Sequence, residues 1–594
     1  MKTYIHNHHG VSTLFVNDEP QAAMAYMAYA EHKACYRSFR AAGYRLYSCA
    51  VCFGNRPTNA MSHTPALRHG IYESKGEAHF EYFDNLMEQI LREVPDAWIF
   101  PRLNVSPPSW WEEEHPEECN DVGFEGGPLR FCPASRVWLE AAKEAVRRFL
   151  AHVEEKPYQE HIVGWQIAGG NTSEWLATNL EGSQGKASRA AFAAESHDDQ
   201  SPEAYRHFLS EATARVVCEL AAEVKAQTGH RLIVGSFYGY LFETPFWGSL
   251  HHALSHVLKS TDIDFICSPS SYSTRLKPGL GWPPMTVIDS LKQHGKLFFH
   301  EFDTRTHLTT LMRDAYPDLC ISDAYVSEIW RPLASEQDTM NALRMNFGQQ
   351  MAMGTGSWWF DMWGGWFESP AIMAELAQYL IEARRAIADE DRASVAECAA
   401  FIDERSYACQ KEPMDCSPTP HIARMAFLQS GVPCDFYELS DFREVVGRYR
   451  VVAFIVPLPT EGIQTAQAWC DDHGLPWLEF SGESMRLQYQ ASVPLPPVND
   501  FEDNACLEAA TSIARQFCVA HGLHCYNDSG SLVYAARNWI TLHAATSGEQ
   551  RVKLTGRRRI APLFPAGTPW IGDEIVLRLP KGATAVFRLD DADE

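Results

Sequence analysis

Between residue 21 and about residue 385, short apolar runs alternate with longer stretches whose apolar positions recur at helical spacing. The runs at 21–28, 45–52, 98–105, 162–168, 232–237, 265–268, 297–300 and 357–361 predict eight strands. Amphipathic stretches at 78–93, 135–154, 202–229 and 336–353 predict helices between them. Such alternation implies parallel β/α units, since a parallel return needs a crossover long enough to hold a helix. Eight units predict a closed (β/α)8 TIM barrel. An open doubly wound sheet is the alternative, but no Gly-rich phosphate loop follows an early strand.

After a helix near 369–388 the pattern shortens. Strands at 395–402 and 451–456 with helices at 422–430 and 465–473 predict a smaller, flavodoxin-like α/β domain ending near residue 480. The Pro-rich VPLPPVND at 493–500 reads as a turn or linker. Short runs at 532–536, 539–543, 552–554, 574–579 and 585–589, punctuated by Gly, Pro and Asp, predict a small C-terminal antiparallel β-sandwich. The expected organisation is therefore a barrel over 1–388, an α/β domain over 389–495 and a β domain over 496–594.

Composition narrows the partners. A formal net charge of −25 repels phosphate backbones and anionic lipid, which argues against nucleic-acid and membrane-surface binding. The N-terminus MKTYIHNHHG has no apolar run behind it, and no stretch of about 18 apolar residues occurs. The 16 cysteines are scattered singly through apolar segments; Cys49 and Cys52 form a C-x-x-C, but within an apolar run. These features predict reduced, buried thiols and a cytoplasmic protein. The 17 tryptophans call for a use beyond core filling, and sugar rings stack on such faces.

Many of these aromatics follow the predicted strands: SPPSWW at 106–111, GGNTSEW at 169–175, YGYLFE at 238–243, SSYSTR at 270–275, EFDTRTH at 301–307 and WGGWFE at 363–368. Barrel enzymes place their chemistry at these C-terminal strand ends. Glu174 follows strand four by a short loop and Glu301 ends strand seven, on opposing sides of an eight-stranded ring. Two carboxyl groups converging over such a mouth suit glycoside cleavage with retention, which needs them about 5–5.5 Å apart.

Carboxylates at the ends of strands four and seven resemble the retaining glycoside hydrolases of clan A. The layout is similar to glycoside hydrolase family 42 and, more distantly, to β-mannosidase family 164. The likeness rests on GWQIAGGNTSEW at 164–175, FFHEFDTRTH at 298–307, the Trp-rich eighth strand, VAECAAFIDERSY at 395–407 and GVPCDFYELSD at 431–441. The resemblance implies an exo-acting retaining β-glycosidase, β-galactosidase-like or β-mannosidase-like, with Glu174 as acid/base, Glu301 as nucleophile and no cofactor or metal. It also implies a β-galactosidase-type trimerisation domain, hence a homotrimer, and a glycoside or oligosaccharide substrate. One departure stands out. The superfamily has Asn directly before the acid/base, whereas Asn171 lies three residues before Glu174. Either the loop lets Asn171 reach the sugar, or another residue takes its role.

Further candidates surround the pair. Arg102 and Arg305 are candidates for the positive charge that keeps Glu301 ionised, and a structural ion pair is the alternative for each. Trp110 and Trp111 are expected to wall the pocket or to cap the barrel. Tyr272 is expected to hydrogen-bond the nucleophile. Trp358 is the favoured sugar platform, with Trp359, Trp363 and Trp366 as alternatives; alternation forbids Trp358 and Trp359 from both facing the centre. Asp361 is expected at a sugar hydroxyl, Asp303 is a rival nucleophile, and His300 and His307 read as hydrogen-bonding or packing residues. A catalytically inactive carbohydrate-binding barrel and a metal-dependent hydrolase are the competing functions.

Overall fold

The structure is a computed structural model that describes residues 1–59, 64–120, 131–177, 185–195, 199–243, 247–318, 330–411, 419–482, 484–488, 490–497 and 505–592. The chain opens with an antiparallel sheet of β1 (Thr3–His8), β2 (Val11–Val16) and β3 (Glu19–Gln21). The strand reading above began only at residue 21 and missed it. The β1–β2 turn is tight because His9 and Gly10 both take positive φ, the geometry that two-residue hairpins favour. Leu14 and Val16 join the apolar cluster inside the barrel, and Thr3 donates its hydroxyl to the Val163 carbonyl at 2.6 Å. The sheet thus covers the end of the barrel opposite the C-terminal ends of its strands.

Ten parallel strands follow: β4 (Met24–Ala28), β5 (Leu46–Ser48), β6 (Ala50–Cys52), β7 (Trp98–Ile99), β8 (Arg102–Asn104), β9 (Gly164–Ala168), β10 (Ile233–Phe237), β11 (Phe265–Pro269), β12 (Leu297–Phe302) and β13 (Gly356–Asp361). Only Cys49 separates β5 from β6, and only Phe100 and Pro101 separate β7 from β8, so each pair forms one stave. Backbone hydrogen bonds from Phe100 to Tyr47 and from Arg102 to Cys49 carry the pairing across the gaps. With β13 paired to β4, eight staves close into the ring that the alternation predicted.

Alternation along each stave sorts its residues. Leu297 and Phe299 of β12 and Trp358 and Phe360 of β13 join the inner cluster with Phe100, Phe237 and Phe265. Phe298, Phe302 and Trp359 belong to the outer cluster packed by the helices. Glu301 shares the parity of Phe299 and so inherits the inward direction, directly across the ladder from Trp358. The helices Glu81–Glu93, Arg136–Glu154, Pro202–Gln227 and Glu336–Met353 match the predicted ones within a few residues. Three of them start on capping serines, Ser135, Ser201 and Ser335, whose hydroxyls accept first-turn amides.

The next sheet runs β15 (Cys434–Glu438), β14 (Cys398–Ile402), β16 (Val451–Ile455), β17 (Trp477–Ser481), β18 (Ser484–Leu487) and β19 (Val493–Pro494). Its parallel part has the 2-1-3-4 order of flavodoxin-like folds. The Pro-rich segment read as a linker supplies β19, and its residues 498–500 lie outside the described residues. A helix at Ala505–Ala520, absent from the sequence reading, then precedes one five-stranded antiparallel sheet, in the order β20 (Leu532–Ala536), β21 (Trp539–His543), β24 (Thr584–Asp591), β22 (Gly548–Phe564), β23 (Trp570–Leu579). The barrel helix Glu336–Met353 lies so close to β21 that a Cβ on Gly348 would sit 2.0 Å from the Thr541 hydroxyl.

Buried carboxylates join the barrel to the α/β domain. Glu404 accepts hydrogen bonds from the amide and hydroxyl of Ser255, and Glu438 accepts from the amides of Ser440 and Glu404. Burial pushes Glu438 up to about 7, with Asp403 adding repulsion and the Ser440 bonds opposing it. An unfolded Glu loses its proton near 4.5, so between there and about 7 the native state holds a proton the unfolded chain has released. Stability from this group is therefore present at low pH and lost as pH rises through that window. Urea unfolding of wild type and Glu438→Gln at several pH values should show the variant gaining on wild type as pH rises from about 5 to about 8; a constant difference would contradict the assignment.

Candidate active site

Glu301 reaches the mouth of the barrel from the end of β12 and is 5% exposed. Its Oε2 accepts from Arg102 Nη2 at 2.9 Å and from the indole Nε1 of Trp358 at 3.1 Å. Arg102 rises from the neighbouring inward position of β8 and is itself held on three sides. Its Nε donates to Gln166 Oε1 of β9 at 3.0 Å, and its Nη1 to the Tyr29 hydroxyl at 2.6 Å. Burial pushes Glu301 up to about 7; Arg102 pulls it down, while Asp303 and Glu174 raise it further.

Glu174 comes from the loop after β9, and this loop is strained. Gly170, Thr172, Ser173 and Trp175 all have positive φ, a conformation in which a β-branched Thr is an outlier. Several contacts hold the backbone there. The Thr172 amide donates to the Thr58 carbonyl at 3.0 Å, and the Asn171 amide to Leu176 at 2.9 Å. The Trp175 indole donates to Ser236 at 2.8 Å, and its ring packs where a Cβ on Gly169 would have to be. Buried, neutral His251 bonds the Glu174 carbonyl at 2.7 Å. The carboxyl accepts from Tyr240 at 2.7 Å and from the Thr172 hydroxyl. Burial raises its pKa, the two hydroxyls and Arg102 lower it, and Asp303 raises it. Glu174 is thus bonded to neutral donors and Glu301 to a cation.

The structure redistributes the other candidates. Arg102 stands on Glu301, but Arg305 does not: it pairs with Asp303 at 3.2 Å and is flanked by the rings of Trp330 and Trp366. Asp303 also pairs with Arg275, so the rival nucleophile is bound between two guanidiniums. Trp358 is fully buried among Phe100, Phe237 and Phe299, and offers no face to a sugar; its contribution is the N–H on Glu301. Trp359 points outward to Tyr44. Trp363 is also fully buried, with its N–H on the Thr310 carbonyl.

Asp361 does not await a hydroxyl. It accepts from Tyr26 and from the amides of Gly365 and Trp366, and is 0% exposed. Asn171 is buried and its amide donates to Asn59 at 3.3 Å. Trp110 is half-buried, with its N–H on the Tyr72 carbonyl. Tyr272 lies near both carboxylates: burial first, then the charges of Glu174, Asp303 and Glu301, hold its phenol well above the usual range. His300 bonds Ser270 at 3.0 Å and His307 bonds Thr339 at 3.1 Å. Among the described residues no group of three or more His, Cys, Asp or Glu is placed to hold a metal ion.

Tyr29, Gln166, Thr172 and Tyr240 were missed by the sequence reading, although the strand-end position of Tyr29 was a signal. Asn104 was missed as well. It ends β8 and donates to the hydroxyl of Ser173, the residue before Glu174, at 2.8 Å. A small open pocket lies here, lined by Tyr29, Cys52, Arg68, Asn104, Ser106 and Ser173.

Set beside known structures, the whole architecture has counterparts. The β-galactosidase from the psychrophilic Marinomonas ef1 is similar over 95% of this chain and 99% of its own, at TM-score 0.59 and 12% identity. The β-galactosidase from Bacillus circulans sp. alkalophilus is similar over 96% and 99%, at TM-score 0.58 and 14% identity. The fold is that of the family 42 glycoside hydrolases. An exo-carrageenase of that family from Bacteroides ovatus is similar over 99% of this chain and 85% of its own, at TM-score 0.60 and 11% identity. No protein-family model matches the sequence, and no curated protein matches it either. Among the described residues no helix is long and apolar enough to cross a membrane.

The Trp358 hydrogen bond can be tested through its pH dependence. Trp358→Phe removes a donor to Glu301, and a bond to a charged acceptor contributes about 1.5–3 kcal/mol. The stability lost on substitution should be larger at pH about 8, with Glu301 ionised, than at pH about 5, with it protonated. A loss equal at both pH values would reduce Trp358 to a space filler.

Proposed function

We propose that the chain is a retaining β-glycosidase acting on neutral-to-anionic β-glycosides by double displacement, with Glu301 as nucleophile and Glu174 as acid/base. The observation that supports it is the asymmetry of the two buried carboxyls. Burial raises the pKa of both, and the charge of Glu174 raises Glu301 further, so in this reading the pair holds one proton between them near neutrality. Arg102 and the Trp358 indole favour charge on Glu301, whereas Glu174 has only hydroxyl donors, so the proton resides on Glu174. Glu301 attacks the anomeric carbon while Glu174 protonates the departing oxygen; Glu174 then takes a proton from water, which releases the sugar.

Asn104 and Ser173 together fill the place of the Asn that precedes the acid/base in clan A, and we assign them to the sugar hydroxyl next to the anomeric carbon. Tyr29, Asn104 and Ser173 then flank the non-reducing sugar above the two carboxyls, which fits exo action on galactose-configured or mannose-configured substrates. Trimerisation through the α/β domain, domain borders near 388 and 495 and a cytoplasmic location belong to the same reading.

An aryl β-glycoside panel with product anomers followed by NMR tests it. The β anomer should appear first, and Glu301→Gln should lower kcat by several orders of magnitude while sugar binding persists. Activity should rise with pH through the ionisation of Glu301, near 7 in the free protein, and fall as Glu174 deprotonates. Appearance of the α anomer first, or full activity in Glu301→Gln, would overturn the mechanism. Sugar binding with no turnover on a broad panel would instead favour a carbohydrate-binding barrel.

A further inference from the structure

Three guanidiniums, those of Arg102, Arg275 and Arg305, crowd the mouth of the barrel beside the carboxyls of Glu301, Glu174 and Asp303. Arg102 is matched by Glu301. Arg275 and Arg305, 2% and 0% exposed, share the single carboxylate of Asp303. Several of their donors are buried without a partner: Nε of Arg275, and Nε and Nη2 of Arg305. Buried polar groups are normally satisfied and buried charge normally compensated, so this arrangement lacks an anion.

Arg275 leads to a place where one fits. It lines an open cleft together with Lys277, Trp282, Arg331, Leu333 and His543. Trp282 is 5% exposed, and its indole N–H is a further buried donor with no acceptor. Arg331 is exposed and makes no ion pair with the described residues. The carboxylate on this lining, Asp338, accepts the hydroxyl of Ser335 at 2.7 Å at the start of its helix. Burial lowers His543 to about 4, so it adds no charge. In a chain of net charge −25, the cleft runs against the sign of the whole. The half-buried Leu333 adds an apolar part to its walls. The cleft is joined to the carboxylate pair through Arg275 and Asp303, whose charge acts on both Glu174 and Glu301.

We propose that this cleft, between the barrel and the C-terminal sheet, is an anion-binding subsite for a sulfate ester or carboxylate on the leaving-group side of the substrate. The saccharide in that statement rests on the glycosidase reading; the anion rests on the unmatched guanidiniums and orphaned donors.

Calorimetric titration of Glu301→Gln, which binds without turnover, tests it. The probes are β-1,4-linked disaccharides in galactose and mannose configuration, each neutral, sulfated on the reducing-end sugar, or with that sugar as a uronic acid. At least one anionic form should bind about tenfold more tightly than its neutral parent, about 1.4 kcal/mol, and the advantage should shrink between about 50 and 500 mM salt. Adding Lys277→Ala and Arg331→Ala should remove it. Preference for the sulfated or the uronic form identifies the natural group. No anionic advantage in any pair, no measurable binding of any anionic probe, or an advantage that survives the double substitution would overturn the proposal. Anionic binding by a wild type that hydrolyses nothing would sink the glycosidase reading and leave the subsite standing. Hydrolysis of neutral glycosides without anionic preference would do the reverse.

Discussion

The candidate site depends on one buried ion pair. Arg102 and Glu301 meet inside the barrel mouth, where both have left water and where breaking the pair by removing one partner would strand a charge. The pair persists because each member is over-determined. Arg102 is bonded to Gln166, Tyr29 and Glu301 at once, and Glu301 is bonded to Arg102 and Trp358. These partners come from β4, β8, β9, β12 and β13 or the loops directly after them, so the closed ring is a condition for the geometry. An open sheet would leave several of them too far apart to meet.

Below this polar layer the barrel is filled with Phe100, Phe237, Phe265, Phe299 and Trp358, and Leu14 and Val16 of the N-terminal sheet meet the same cluster. That filling excludes water from beneath the carboxylates and accounts for the dominance of burial in both pKa shifts. Across the mouth, Glu174 is presented from a loop of left-handed residues that only dense hydrogen bonding can hold. The rigid stave carries one carboxyl and the strained loop carries the other. Their different supports, a cation on one side and hydroxyls on the other, allow two identical side chains to play unlike parts.

Much of this was legible in the sequence because period-two alternation and strand–helix order survive in any barrel. The eight staves, the two-sided eighth strand and the positions of Glu174 and Glu301 at strand ends followed from pattern alone. What pattern does not encode is rotation about side-chain bonds and cross-strand register. Trp358 looked like a platform because the resemblance implies a sugar-stacking Trp on the eighth strand, yet its indole turns into the barrel to reach Glu301. Arg305 looked like a partner of Glu301 from proximity along the chain, but four residues on it has passed the strand, which ends at Phe302, and pairs with Asp303. Asn104 was overlooked for the opposite reason: it is 70 positions from Glu174 in the chain and meets Ser173 only in space. The N-terminal sheet was missed because its His- and Asn-rich first strand has few apolar positions to register.

The proposed mechanism turns on one atom, the carboxylate oxygen of Glu301 that would bond to the anomeric carbon. Incubation with 2-deoxy-2-fluoro glycosyl fluorides of galactose and mannose configuration, followed by peptide mass mapping, reads that bond directly, since the fluorine slows release of a covalent sugar. One sugar per chain is expected, attached to Glu301, with labelling suppressed by a competing substrate. A label on Asp303, or none while the protein turns over ordinary glycosides, would contradict it.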